Sequence, residues 1–160
     1  MVEFATLVSA NLSLRTMSSS ADPHRWATEL LQVEPLLLDK IQTALAADHE
    51  NAQTALVEML KFLYLVAHSP RKLTPALAVD LAWHEFILFT RRYATFCQDK
   101  FGRFIHHSPG GSDQENRHNF EHTIRYYGQQ WGAPPAVIWG DTAALMYEEA
   151  QCGSCLGDAN

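Results

Sequence analysis

The sequence has 160 residues, of which 47% are hydrophobic and 19% are charged, and its formal net charge is −6 at pH 7. This composition is typical of one globular domain that closes a core without disulfide or metal crosslinks. The acidic balance and the lack of a basic stripe argue against nucleic-acid binding, and no apolar run approaches the roughly 20 residues of a membrane span. We therefore expect neither a nucleic-acid nor a membrane partner.

Helical periodicity extends along most of the chain. The pattern predicts two less regular helices in the N-terminal third and two regular ones after them, at residues 4–17, 24–33, 34–47 and 50–66. Thr74 and Pro75 then begin a long helix, which we expect to be the central and most buried one and to continue to about residue 100.

The C-terminal half contains two further predicted helices. Ser112 or Asp113 caps a helix that continues to about Tyr127, and a terminal helix covers residues 142–151. No segment alternates with the period of a half-buried strand. We predict an all-α, single-domain helical bundle or orthogonal array of five to seven helices at residues 21–150, preceded by an uncertain N-terminal segment at residues 1–20.

The three cysteines give information about the redox environment of the protein rather than about a functional site. Cys97, Cys152 and Cys155 are an odd number, and residues 1–20 lack the apolar core of a secretory signal. We therefore expect a reducing, cytoplasmic location and no disulfide framework. Cys152 and Cys155 have the spacing of half a zinc site, but no second pair accompanies them. We expect residues 151–160 to form a flexible tail.

Five of the eight histidines lie between His84 and His122. Asp80 and His84 are four residues apart on the predicted long helix and share one face of it, and His106 and His107 lie in the turn-rich loop that follows. Imidazole and carboxylate groups are ligands of zinc and iron. The sequence therefore predicts a zinc or iron site formed by Asp80, His84, His106 and His107.

Two further histidines are weaker ligand candidates. The segment from His118 to His122, with Glu121 before the second histidine, matches the H-x-x-E-H pattern of inverzincin zinc peptidases. Those enzymes take a third ligand, a glutamate, from far downstream, and here only Glu148 and Glu149 follow. A zinc peptidase is therefore a minor alternative.

The same residues also admit a structural interpretation. A histidine on an apolar helix face needs a hydrogen-bond partner, and a carboxylate one turn away supplies one. In this alternative the histidines, Trp83 and Asp80 lock the long helix to the following loop, and an exposed face binds a protein or peptide partner. Catalysis is left open in both interpretations.

Two motifs resemble a known family. Residues 79–84 read Val-Asp-x-x-Trp-His and residues 102–109 read Gly-x-x-x-His-His-x-Pro, with Trp-Gly-Ala-Pro-Pro at residues 131–135. Together they resemble a bacterial family of uncharacterised proteins that are labelled glycine-rich domain-containing, itself distantly similar to a domain of plant glycine-rich domain proteins. The resemblance implies no activity. The positions it marks for the site are Asp80, Trp83, His84, His106, His107 and Pro109, with Trp83 and Pro109 as binding or structural support.

Overall fold

The computed structural model describes residues 21–108 and 110–154, with side chains up to residue 148. This part of the chain contains no β-strand, so the all-α prediction is confirmed. It contains eight helices, α1 (Pro23–Val33), α2 (Leu36–Leu45), α3 (His49–His68), α4 (Leu77–Leu88), α5 (Thr90–Phe101), α6 (Asp113–Trp131), α7 (Ala136–Trp139) and α8 (Asp141–Ser154).

Some sequence-based predictions lie outside the described residues. These are the helix at residues 4–17, the support role of Pro109, and any role of Cys155 or of the Cys152 side chain. The terminal helix α8 continues past its predicted end at residue 151 to Ser154. Across the described helices, none combines the length and the apolar character needed to cross a membrane.

The centre of the fold is α3, and α1, α2, α4, α6 and α7 all pack against it. The prediction that the long helix after Pro75 is the most buried element was therefore wrong. Buried residues are distributed over most of α3, whereas α4 leaves Leu77 and Leu88 exposed at its two ends. The sequence of α4 is apolar on most sides, which is typical of a buried helix, but its exposed ends show that this pattern alone does not place a helix at the centre.

The predicted long helix is also two helices. At Phe89 the backbone leaves the helical region (φ −81°, ψ 58°), so α4 ends at Leu88 and α5 begins at Thr90. The bend brings Tyr93 and Phe96 of α5 onto Phe86 of α4, with ring centroids 5.1 and 5.5 Å apart. Burial of these aromatic rings accounts for a bend that no proline or glycine marks in the sequence.

The start of α4 differs from the prediction as well. The helix begins at Leu77 rather than at Pro75, because the backbone of Thr74 is engaged elsewhere. Its N–H donates to the hydroxyl of Thr123 on α6 (3.1 Å), and its carbonyl oxygen accepts from the same hydroxyl (2.9 Å). The segment before α4 is thereby attached to α6.

The loop between α5 and α6 begins and ends at well-defined caps. Gly102 takes a left-handed conformation (φ 68°) that ends α5 and reverses the chain. Ser112 and Glu115 form a reciprocal capping box that begins α6, which confirms the predicted start of this helix. The loop between these caps carries His107 back to α4.

A charged network lies inside the core. Glu58 on α3 is only 2% exposed, and its two carboxylate oxygens accept from Lys61 Nζ and from the Trp139 indole N–H, both at 2.7 Å. Lys61 also donates to the hydroxyl of Tyr127 at 2.9 Å. Burial, aided by the negative charge of Glu58, raises the pKa of Tyr127 far above its ordinary value, so this hydroxyl stays neutral. The network joins α3 to α6 and α7.

Candidate functional site

Asp80, His84 and His107 form a compact group of ligand-type side chains. Asp80 and His84 lie one turn apart on α4, and His107 comes from the loop after α5. Asp80 Oδ1 is 2.9 Å from His107 Nε2, and Asp80 Oδ2 is 3.4 Å from His84 Nδ1. One ligand atom from each residue lies within 4.8 Å of the others. Two imidazoles and one carboxylate at these distances fit the ligand set of a single divalent metal ion.

The His84 ring has a defined orientation. Its Nδ1 lies 2.8 Å from the carbonyl oxygen of Asp80, one helical turn earlier. If Nδ1 carries the proton that this bond requires, the lone pair is on Nε2, as in histidines that bind metal through one nitrogen and hydrogen-bond through the other. The centroids of the His84 and His107 rings are 4.3 Å apart, so the two imidazoles are in direct contact.

Trp83 supports His107 and is itself held by a buried chain of hydrogen bonds. Its ring centroid lies 4.4 Å from that of His107. The Trp83 indole N–H donates to the hydroxyl of Tyr93 on α5 (2.9 Å), and this hydroxyl donates to the carbonyl oxygen of Ile105 (2.6 Å). Burial raises the pKa of Tyr93 well above its ordinary value, so the hydroxyl keeps its proton. The chain fixes α4, α5 and the His107 loop relative to one another.

Sequence reasoning had assigned no role to Tyr93. The available signal was the indole N–H of Trp83, which needs an acceptor when it is buried. The sequence does not say which acceptor on another helix meets it.

His106, predicted as a fourth ligand, lies apart from the group. Successive residues of the loop alternate in burial: Ile105 is buried, His106 is exposed and His107 is half-buried. The His106 ring instead contacts Phe104, with centroids 4.8 Å apart. Because Ile105 is anchored inward by the Tyr93 bond, the next side chain is directed to solvent.

His118 and His122, the weaker candidates, form a separate pair on α6. His122 Nε2 lies 3.1 Å from His118 Nε2 and 3.1 Å from Arg71 Nη1. Partial burial, followed by the charges of His118, Arg71 and Arg125, lowers the pKa of His122. A guanidinium at this distance opposes a metal cation. In the described part of the chain no third ligand joins the pair.

The contact with Arg71 gives a testable pKa change. Replacing Arg71 by glutamine removes one of the positive charges that disfavour protonated His122, so the pKa of His122 should rise toward its ordinary value. Because the pKa of His122 is lower in the folded state, the unfolded chain binds a proton at this ring more readily, and the protein loses stability as the pH falls below the unfolded-state pKa. The Arg71 variant should lose less stability on acidification. Two-dimensional NMR titration of the histidine rings measures the shift. Arg91→Gln is the control, and an unchanged His122 pKa in Arg71→Gln would contradict the prediction.

A cavity of about 320 Å³ adjoins the Asp80, His84 and His107 group. Asp80, Trp83 and His107 form part of its wall. Two other cavities, of about 370 and 510 Å³, lie between α1 and α3 and beside the bend at Phe89, and none of the three ligand-type residues lines them. The cavity beside the group is also lined by Lys72, Thr74, Pro75, Leu77, Ser108, Gly110 and Asn116.

Comparison with known proteins identifies the family. No curated protein and no solved structure matches the chain. A family model described as UCP032817-like matches residues 25–131, a segment that contains Asp80, His84 and His107. The description gives no glycine-rich label, so that part of the resemblance stays a prediction. Since the match covers more than half of the sequence, the chain belongs to the UCP032817-like family.

Proposed function

We propose that Asp80, His84 and His107 bind one divalent transition-metal ion, zinc or iron, and that this centre is the working site of the domain. The observation that supports the proposal is the approach of three ligand atoms from two separate elements to within 4.8 Å, beside a cavity.

The chemistry of the ligand set favours an open centre over a closed structural one. Structural zinc sites use four protein ligands, whereas catalytic sites use three and leave a position for water or substrate. Two histidines and one carboxylate are the ligand set of many catalytic zinc sites and of non-haem iron enzymes. The ion would supply hydrolysis by activated water if it is zinc, or an oxygen-dependent reaction if it is iron.

The residues around the group serve this role. His107 Nε2 faces Asp80 in a 2.9 Å hydrogen bond, and a bound ion would replace the shared proton, which moves to the other ring nitrogen or to solvent. The bond of His84 to its own helix and the packing of Trp83 against His107 hold both rings in place before an ion arrives. Such pre-orientation lowers the cost of binding.

Metal content and affinity test the proposal. Purified full-length protein should contain about one equivalent of zinc or iron by elemental analysis. His84→Ala and His107→Ala should each lower zinc affinity by more than about a hundredfold in calorimetric titration, since loss of outer-shell partners alone costs about 10–100-fold. His106→Ala and His118→Ala are matched controls that should keep the metal. Circular dichroism verifies that all four variants are folded.

One outcome would favour the second candidate function, a protein- or peptide-binding module with a structural cluster. Because Asp80 and His107 already satisfy each other by a direct hydrogen bond, the group is also complete without an ion. If wild type binds neither zinc nor iron while His107→Ala is less stable than His106→Ala, the metal proposal is overturned. The exposed surfaces then become the place to look for a partner.

A further inference from the structure

The wall of the cavity beside the metal-ligand group combines ligand-type, charged and apolar residues. Asp80 and His107 are shared with the group, Lys72 contributes a positive charge, and Trp83, Pro75 and Leu77 contribute apolar surface. Its volume of about 320 Å³ lies at the lower end of the roughly 300–1,000 Å³ typical of small-molecule pockets. We propose that the cavity binds a small organic monocarboxylate, with the carboxylate between Lys72 and the metal centre and the hydrocarbon part against Trp83. This inference rests on the proposed function.

The charges around the cavity favour an anion. With Asp80 engaged as a metal ligand, Lys72 is the charged side chain of the wall that remains for a ligand. The Glu115 carboxylate lies close enough to Lys72 to be influenced by its charge. The hydrogen bonds from Ser112, and after them the charge of Lys72, hold the pKa of Glu115 below its usual range. The Glu115 carboxylate already accepts from Ser112 N–H at 2.9 Å, so it is committed to the cap of α6.

The backbone adds to this preference. Pro75 and Leu77, at the start of α4, are part of the wall, and the N-cap position of this helix, Ala76, has no side chain that accepts from the first-turn amides. The amino end of a helix carries partial positive charge, which favours an anionic group nearby.

The apolar surface selects against inorganic anions. Leu77, which is 74% exposed, lines the cavity together with Pro75 and Trp83. An inorganic anion would leave this surface in contact with water, whereas an alkyl or aryl carboxylate covers it. One lysine and one open metal position match a single carboxylate better than a phosphate ester, whose sites are usually built from arginines and several backbone amides.

Phenylacetate and phenylacetamide form a matched pair of probes, since they have nearly the same shape and differ in charge. Zinc-loaded full-length protein should bind phenylacetate about tenfold or more tightly than phenylacetamide by calorimetry. The indole N–H signal of Trp83 in the NMR spectrum should shift on addition. Equal affinity for the two probes, or a shift confined to other tryptophans, would overturn the proposal.

Lys72→Gln provides the specific test. This variant should lower phenylacetate affinity about two- to fivefold, in line with one exposed charge contact, and leave zinc stoichiometry at one. Lys40→Gln, on α2 and outside the cavity wall, is the control and should bind both as wild type does.

The two proposals fail in different ways. If zinc binds but Lys72→Gln binds phenylacetate unchanged, the carboxylate site is overturned and the metal centre stands. If zinc does not bind but phenylacetate still shifts the Trp83 signal in a Lys72-dependent way, the metal centre is overturned, and the cavity binds the anion through Lys72 alone.

Discussion

Replacing Lys61 by methionine should lower the free energy of unfolding by about 3–5 kcal/mol, the range found when one partner of a buried ion pair is removed. The side chains of Glu58 and Lys61 are 3% and 13% exposed, so water can solvate neither of them well. Methionine fills the space but leaves the buried Glu58 carboxylate without its cationic partner, beside the neutral Trp139 indole and Tyr127 hydroxyl. The contacts of the Lys61 ammonium with the rings of Tyr127 and Trp131 are lost as well.

A double variant separates charge from packing. Glu58→Gln combined with Lys61→Met removes both charges and keeps an oxygen that accepts from Trp139, so it should recover at least about half of the loss. Urea denaturation followed by circular dichroism gives all the free energies of unfolding. A loss below about 1 kcal/mol in Lys61→Met, or no recovery in the double variant, would show that the pair is effectively solvated.

The second large effect should follow from Tyr93→Phe. The substitution keeps the ring but deletes the hydroxyl that joins the Trp83 indole to the Ile105 carbonyl. Two buried polar groups then lack partners, and each costs about 1–3 kcal/mol, so we expect a total loss of about 2–6 kcal/mol. In the described part of the chain every buried side-chain nitrogen and oxygen has a hydrogen-bond partner. The variant would leave the buried Trp83 indole N–H without one.

Zinc affinity distinguishes a positioning role of Tyr93 from a purely structural one. Because the same hydroxyl anchors the loop that carries His107, zinc affinity should fall about tenfold even in Tyr93→Phe protein that is fully folded. Tyr126→Phe, on α6, is the control and should change stability by no more than about 0.5 kcal/mol. Unchanged zinc affinity in folded Tyr93→Phe would confine Tyr93 to a structural role.

The periodicity of the sequence was sufficient to predict that the helices are present, but not where all of them begin and end. The capping box at Ser112 and Glu115 and the left-handed Gly102 are local signals, and the structure contains both. The bend at Phe89 has no local signal, because it follows from aromatic packing between α4 and α5. The late start of α4 results from hydrogen bonds between Thr74 and Thr123, which are far apart in sequence.

The sequence likewise predicted some residues of the candidate site and not others. The four-residue spacing of Asp80 and His84 on one helix placed them together without tertiary information. His107 could be expected near them, but the sequence did not distinguish it from His106. Which of the two histidines turns toward α4 depends on which residues of the loop are buried in the core. Tyr93 is joined to Trp83 and Ile105 by contacts that only the folded chain makes, and Lys72 lines the cavity beside the group. Glu58 lies within the apolar segment of α3, and a charged residue in such a segment indicates that it has a buried partner. Only the structure identifies the partners as Lys61 and Trp139.

The contact between Asp80 and His107 closes a chain segment of 27 residues that includes α5. The pairing of Asp80 with His84 forms as soon as one helical turn exists, whereas the third side chain joins only after the entropy of this larger loop has been lost. A fluctuation that releases α5 would therefore leave a two-membered group on α4. Any ion that requires all three side chains would stabilise the docked α5, by a free energy that grows with the logarithm of the ion's affinity.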